Sequence, residues 1–244
     1  MKKIKYALLA LLAIFTVVVT GCKNPEDQTA LTEVTSISDF GKDSLYLRAK
    51  SDSYKTSTSN YSKEVSYYTY LYLENGKLYS QNYRWVEKTY TDTSKEKETY
   101  WEKGGEPTEL SFTDGKISAG DSSYASTMCK LGDTYFMYYD SMKFSRISGS
   151  GLYSTFEYTE DDYSSKITFK EDGTISVEYS YKDSDGNTQS SSSPYNYTYK
   201  NNNGLISFYD SDGTKTSLDA YYDGSAIYNA LIFEEVSELP TVTK

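Results

Sequence analysis

The sequence predicts an all-β fold: an antiparallel meander forming a barrel or sandwich, or two similar modules in tandem, behind a signal helix and a tether. Three observations lead there. First, apolar and aromatic residues alternate with polar ones at the strand period, as in Ile175, Val177, Tyr179 and Tyr181 against Thr174, Ser176, Glu178 and Ser180. Second, Asx-Gly pairs recur between these runs at Asn75-Gly76, Asp114-Gly115, Asp172-Gly173, Asp185-Gly186, Asn203-Gly204 and Asp212-Gly213. Such pairs supply the positive φ that tight hairpin turns require. Third, no long helical periodicity follows residue 45, and the chain holds only 4 prolines.

The first element is residues 1–21. Met1 to Lys5 is basic, Tyr6 to Val19 is almost unbroken apolar sequence, and Val19-Thr20-Gly21-Cys22 follows. A basic end and a short apolar run make a secretory signal. The final tetrapeptide resembles the bacterial lipobox. That resemblance implies cleavage between Gly21 and Cys22 and acylation of Cys22, including a palmitate-type chain. Several acyl chains, at about 0.8 kcal/mol per buried methylene, anchor a protein stably. Loss of Lys2, Lys3 and Lys5 with the signal takes the formal charge from −10 to −13. An anionic membrane surface repels such a chain, so lipid and not charge must hold it. Lys23 stands where Asp would signal inner-membrane retention in Gram-negative bacteria, so an outer-membrane location in the envelope is expected.

Residues 22–43 read as the lipidated cysteine and a flexible tether, with a weak helical pattern over Leu31–Phe40. Residues 44–148 form the first β module, 149–152 (Gly149-Ser150-Gly151-Leu152) the joint, and 153–244 the second module. The division rests on self-similarity. Glu74–Leu78 matches Glu171–Ile175, and Tyr100–Lys103 matches Tyr197–Lys200, both at an offset of 97. Leu110–Phe112 matches Ile206–Phe208 at 96, and Tyr139–Ser148 matches Tyr228–Ser237 at 89.

Composition narrows function. The 244 residues contain no histidine, which removes Ser-His-Asp and Cys-His catalysis and His-ligated zinc. Two cysteines give neither a disulfide framework nor a four-cysteine metal site. With 25 basic against 35 acidic residues there is no basic patch for nucleic acid. Cys129 has no partner once Cys22 is acylated, and reads as a small buried apolar residue. The acidic stretches Asp183–Asn187 and Asp210–Gly213 fit turn chemistry better than calcium loops, whose Gly falls at the sixth position. Glu160-Asp161-Asp162 and Glu234-Glu235 are sequence neighbours, whose side chains alternate between faces on a strand and do not converge. No metal site, cofactor or catalytic residue is therefore expected.

Tyrosine is the dominant resource, with 28 residues. Non-tyrosine apolar residues are scarce, so phenol rings must supply much of the core, with hydroxyls seeking partners at its edge. Tyr67 and Tyr68 are adjacent and put rings on both faces of one strand. Tyr68, Tyr70, Tyr83, Trp85 and Trp101 are the candidate ligand-binding residues. Exposed Tyr and Trp offer contact area at low entropic cost, although two packed layers would equally cover them.

The unit of Glu-Asp-Gly-Thr turn, Tyr-alternating strand, Asx-Gly turn, Ile-Ser-Phe strand and Leu-x-Phe strand is clearest over Lys166–Val236. It resembles the lipocalin-like Tyr/Ser-rich β repeats of bacterial, spirochaete-type lipoproteins. The resemblance implies a meander closing into one barrel or two. Trp85 and Trp101 lack the Gly-x-Trp that opens true lipocalins, so a ligand-filled calyx does not follow from it. The function expected is a non-catalytic binding role for a membrane-anchored lipoprotein, toward a host or envelope protein or a glycan. The alternatives are a lipocalin-like carrier of a small apolar ligand, a structural or antigenic coat lipoprotein, and, least favoured, a carboxylate-based hydrolase.

Overall fold

The computed structural model describes residues 31–120, 125–183, 185–193 and 197–243. The expected signal peptide, the lipidation site Cys22 and tether residues 22–30 lie outside the described residues. Among the described residues there are seventeen strands, one 3-10 turn and no α-helix.

The first half of the chain forms β1 (Leu31–Val34), β2 (Leu45–Ser57), β3 (Tyr61–Glu74), β4 (Lys77–Tyr90), β5 (Glu98–Lys103), β6 (Thr108–Thr113), β7 (Lys116–Ser118), β8 (Thr127–Leu131) and β9 (Thr134–Gly149). The second half forms β10 (Ser154–Glu160), β11 (Tyr163–Phe169), β12 (Thr174–Lys182), β13 (Thr188–Ser192), β14 (Tyr197–Asn202), β15 (Leu205–Tyr209), β16 (Lys215–Tyr222) and β17 (Ala226–Val236). All pairings are antiparallel, as the expected meander requires. Three of the six Asx-Gly pairs make the turn read from sequence, while at Gly173, Gly186 and Gly213 only the glycine takes positive φ, within a longer turn. Asn75 and Gly76, Asp114 and Gly115, and Asn203 and Gly204 all take positive φ, the signature of a two-residue hairpin turn.

The pairings close two circuits of eight strands each. Ring 1 runs β2-β3-β4-β6-β7-β8-β9-β17 and back to β2. Its weakest link is a single bridge, Ile117 with Ser126, made by two hydrogen bonds of 2.8 and 2.9 Å. Ring 2 runs β9-β10-β11-β12-β14-β15-β16-β17 and back to β9. β9 and β17 belong to both rings. Within β2–β9 and within β10–β17, one additional strand pairs with the far end of a ring strand, β5 with β4 and β13 with β12, and β1 adds to β8 outside both rings. The two halves thus carry the same pairing pattern, strand for strand, from β2–β9 to β10–β17.

This arrangement revises the expected layout. Residues 149–152 are not a linker: Gly149 pairs with Ser154 in the β9–β10 hairpin. Leu31–Lys244 makes one compact unit because two strands are held in common. The self-matches of the β3–β4 and β11–β12 turns, and of β9 and β17, fall at equivalent places. The matches of Tyr100–Lys103 to Tyr197–Lys200 and of Leu110–Phe112 to Ile206–Phe208 do not. They set β5 against β14 and β6 against β15, whereas the pairing sets β6 against β14 and β7 against β15. The expected tether also ends earlier. β1 pairs with β8, and Ile37–Phe40 forms a 3-10 turn. The Asp39 carboxylate accepts the N–H groups of Thr35 and Ser36 at 2.8 and 2.9 Å, and Gly41 (φ +63) ends the turn. Phe40, 3% exposed, is thereby driven into the core.

Each ring has its own core on the inward face of its strands. Ring 1 is filled by Leu45, Leu47, Leu71, Leu78, Met128 and Phe233, with Phe40 added from the 3-10 turn. Ring 2 encloses Phe156, Phe169, Ile175, Val177, Ile206 and Phe208. β17 serves both: Ile227 faces ring 2, and Leu231 and Phe233, on the same face, belong to ring 1. Its other face, with Tyr228 and Ala230, packs with Cys129, Phe136 and Tyr221 in a third cluster. Ala230 leaves room for Tyr221 to reach Phe136 across β17 (ring centroids 4.9 Å). Tyrosine supplies core area here as the composition requires.

Candidate ligand-binding sites

The five aromatic residues singled out in the sequence do come together. Tyr68 and Tyr70 on β3, Tyr83 and Trp85 on β4, and Trp101 on β5 share one face. The register sets Tyr68 opposite Tyr83 and Trp85 opposite Trp101. Trp101 sits at the centre, with ring centroids 5.3 Å from Tyr68, 5.2 Å from Trp85, 6.4 Å from Tyr70 and 6.5 Å from Tyr83. Tyr70 and Tyr83 meet edge to face at 5.1 Å. The Arg48 guanidinium lies 5.5 Å above the Tyr68 ring and donates from Nε to Glu234 at 2.7 Å.

The rings satisfy one another rather than stand open. Tyr70 is 2% exposed and Tyr83 5%, while Tyr68, Trp85 and Trp101 are half-buried. Burial pushes the Tyr70 phenol up, against the opposing pull of Arg48. Residues 236–241 run beside Tyr70, Trp101 and Arg48 across an open cleft of about 420 Å³. The patch is therefore a packed outer layer on ring 1, with an edge at Tyr68, Trp85 and Trp101.

A different site was not singled out from sequence. Ring 2 contains a cavity of about 190 Å³. Its wall is formed by Ile167, Ile175, Val177, Phe208, Ala220 and Ile227, from five of the eight ring strands. Polar groups reach it at five residues, Ser165, Tyr179, Tyr197, Asp219 and Asn229. Phe156, Phe169 and Ile206 fill the rest of the ring, with Phe156 and Phe169 edge to face at 5.9 Å. Arg146 braces that packed part: it donates to the Tyr222 hydroxyl at 2.6 Å and to the Gly224 carbonyl at 2.9 Å, and lies 5.6 Å from the Phe156 ring.

Apolar side chains stand exposed at the margin of this cavity. Leu218 lines it and is 54% exposed. Met142 is 40% exposed, and its Sδ lies 3.7 Å from Nδ2 of the lining residue Asn229. Met142 is there because β9 bulges. Lys143 pairs with Tyr228, yet Tyr138 pairs with Ala230, so four residues of β9 stand against Asn229 alone. The sequence signal for the wall was present in the alternation of Ile175, Val177 and Tyr179; the hollow left no mark in the pattern.

The acidic stretches hold the backbone. Asp183 Oδ1 accepts the N–H groups of Asp185 and Asn187 at 3.0 and 2.9 Å, and Asp210 Oδ1 those of Asp212 and Thr214 at 3.3 and 3.0 Å. These are Asx turns. Glu234 and Glu235 pair with Arg48 and Lys42 along the β17–β2 seam. Among the described residues no three carboxylate or cysteine side chains converge as metal ligands. Cys129 is buried at 1% exposure, and burial pushes its thiol up to about 12, which keeps it protonated.

No protein-family model matches the chain, and neither a curated protein nor a solved structure does.

Proposed function

We propose that this protein is a bacterial envelope lipoprotein, anchored through acylated Cys22, that binds a small apolar ligand in ring 2 and has no catalytic role. The observation that carries the reading is the 190 Å³ apolar cavity, with exposed Leu218 and Met142 at its margin. A concave apolar site with a few polar groups is the usual form of a small-molecule site. Closed β circuits suit this work because their interiors are sheltered and leave no free edge along the ring. The anchor reading rests on the lipobox at Val19–Cys22, and Lys23 favours the outer membrane. Recognition of a protein or glycan through the aromatic patch has less support, since Tyr70 and Tyr83 are covered.

Two measurements test the two halves. Cys22→Ala expressed in a bacterium should leave the protein in the aqueous phase on detergent partition, where the wild type enters the detergent phase. Equal partition of both would overturn the anchor. Native mass spectrometry of residues 23–244, purified without detergent, should show an added mass of a few hundred daltons or less that is lost on denaturation. An apo mass that stays unchanged with added 1-octanol would overturn ligand binding.

A further inference from the structure

Granting that reading of the cavity, we infer that its ligand is a neutral molecule, the size of a single ring or a chain of about eight carbons. It carries a hydroxyl or carbonyl and is not a fatty-acid anion. Size comes first. An apolar cavity of about 150 Å³ holds benzene, so about 190 Å³ takes a ligand not much larger.

Charge comes second. The lining contains no lysine or arginine. A buried carboxylate without a cation or several donors is strongly disfavoured. The neighbouring lysines are engaged with groups of the protein. Lys166 alternates away from Ser165 and Ile167 and stands 3.6 Å from Glu157. Lys215 is outside the lining and its charge is taken up by Asp219, a lining residue, at 3.2 Å. Lys143 lies 5.7 Å from the Tyr228 ring, which is on the other face of β17 from Ile227. The carboxylate of Asp219, bonded to Ser207 at 2.8 Å, belongs to the lining and adds a negative charge there that opposes an anionic ligand. What remains beside Asp219 for a ligand's polar end is neutral: the hydroxyls of Ser165 and Tyr179 and the amide of Asn229. A hydroxyl or carbonyl matches those groups.

The test is isothermal titration of the whole mature chain, as Cys22→Ala, with 1-octanol and with sodium octanoate at about pH 7.5, where the acid is ionised. Octanol should bind at least tenfold more tightly than octanoate. Val177→Phe, which fills the cavity, should weaken octanol at least tenfold. Leu218→Lys, at an exposed position that folding tolerates, should strengthen octanoate at least threefold without strengthening octanol. A preference below tenfold, or an octanoate affinity indifferent to Leu218→Lys, would overturn the neutral-ligand inference while leaving ligand binding in place. Failure of the folded wild type to bind either probe would overturn both.

Discussion

Truncating Phe40 tests whether the chain before residue 44 is part of the fold. The ring sits in the ring 1 core, 5.5 Å from Tyr135 and 6.5 Å from Phe112, and the Tyr135 hydroxyl donates to its carbonyl at 3.4 Å. Phe→Ala at a fully buried site costs about 3–5 kcal/mol, from lost transfer energy and the cavity left behind. For a unit of this length each kcal/mol lowers Tm by roughly 2–4 °C. Phe40→Ala should therefore lower Tm by about 6–20 °C. The assay is thermal unfolding of residues 23–244 followed by circular dichroism, with Val242→Ala in the exposed C-terminal segment as control. The control should stay within about 0.5 kcal/mol. A loss below about 1 kcal/mol for Phe40→Ala would refute the reasoning and return residues 31–43 to a tether.

Three further outcomes follow from particular contacts. The Asp223 carboxylate accepts the N–H groups of Ser225 and Ala226 at 2.7 Å and the Tyr228 hydroxyl at 3.0 Å. Burial pushes its pKa up, but these bonds outweigh burial and hold it below the ordinary 3.8. Its contribution is thus complete above that value and is lost as pH falls through the lower folded value. The Tm gap between wild type and Asp223→Ala should be widest near neutral pH and close on acidification; a gap unchanged down to about pH 2 would contradict this. Gly204 has φ +97, and a Cβ there would stand 2.7 Å from the Tyr222 carbonyl oxygen. Gly204→Ala should cost at least about 1–3 kcal/mol from backbone strain alone, and more than Gly213→Ala, where the space is open. In denaturant melts, equal losses would contradict the close approach. Finally, Cys129 should resist a disulfide reagent at about pH 8 until the protein is unfolded, because its thiol is buried and protonated. Prompt labelling of native protein would show the third cluster to be open.

Much of the fold was legible in the sequence because its signals are local. Asn75-Gly76 and Asn203-Gly204 demand turns wherever they stand, and the alternation at Ile175, Val177 and Tyr179 demands a strand with one buried face. What could not be read depends on distant partners. Nothing in β9 or β17 alone says that each borders two rings, since the β17–β2 seam joins residues nearly two hundred apart. Residues 31–43 looked like a tether because only Val34 and Phe40 bury deeply there, amid Thr, Ser and Asp. The aromatic patch was found by its residues. Its closure was not, because the partner that covers Tyr68, Arg48, comes from β2 and the neighbouring 236–241 segment from the chain's end. The cavity was missed for a related reason: Ile175 and Val177 alternate identically whether the space before them is filled or hollow, and only the three-dimensional ring decides.

The most direct test of ligand binding in ring 2 is methyl-resolved NMR of isoleucine-labelled protein titrated with 1-octanol. Ile167, Ile175 and Ile227 border the cavity, whereas Ile117 lies in the filled core of ring 1. The account expects the first three methyl signals to shift together along one saturating curve while Ile117 stays in place. Shifts confined to Ile117, or no shift in the three ring 2 signals at saturating octanol, would contradict it.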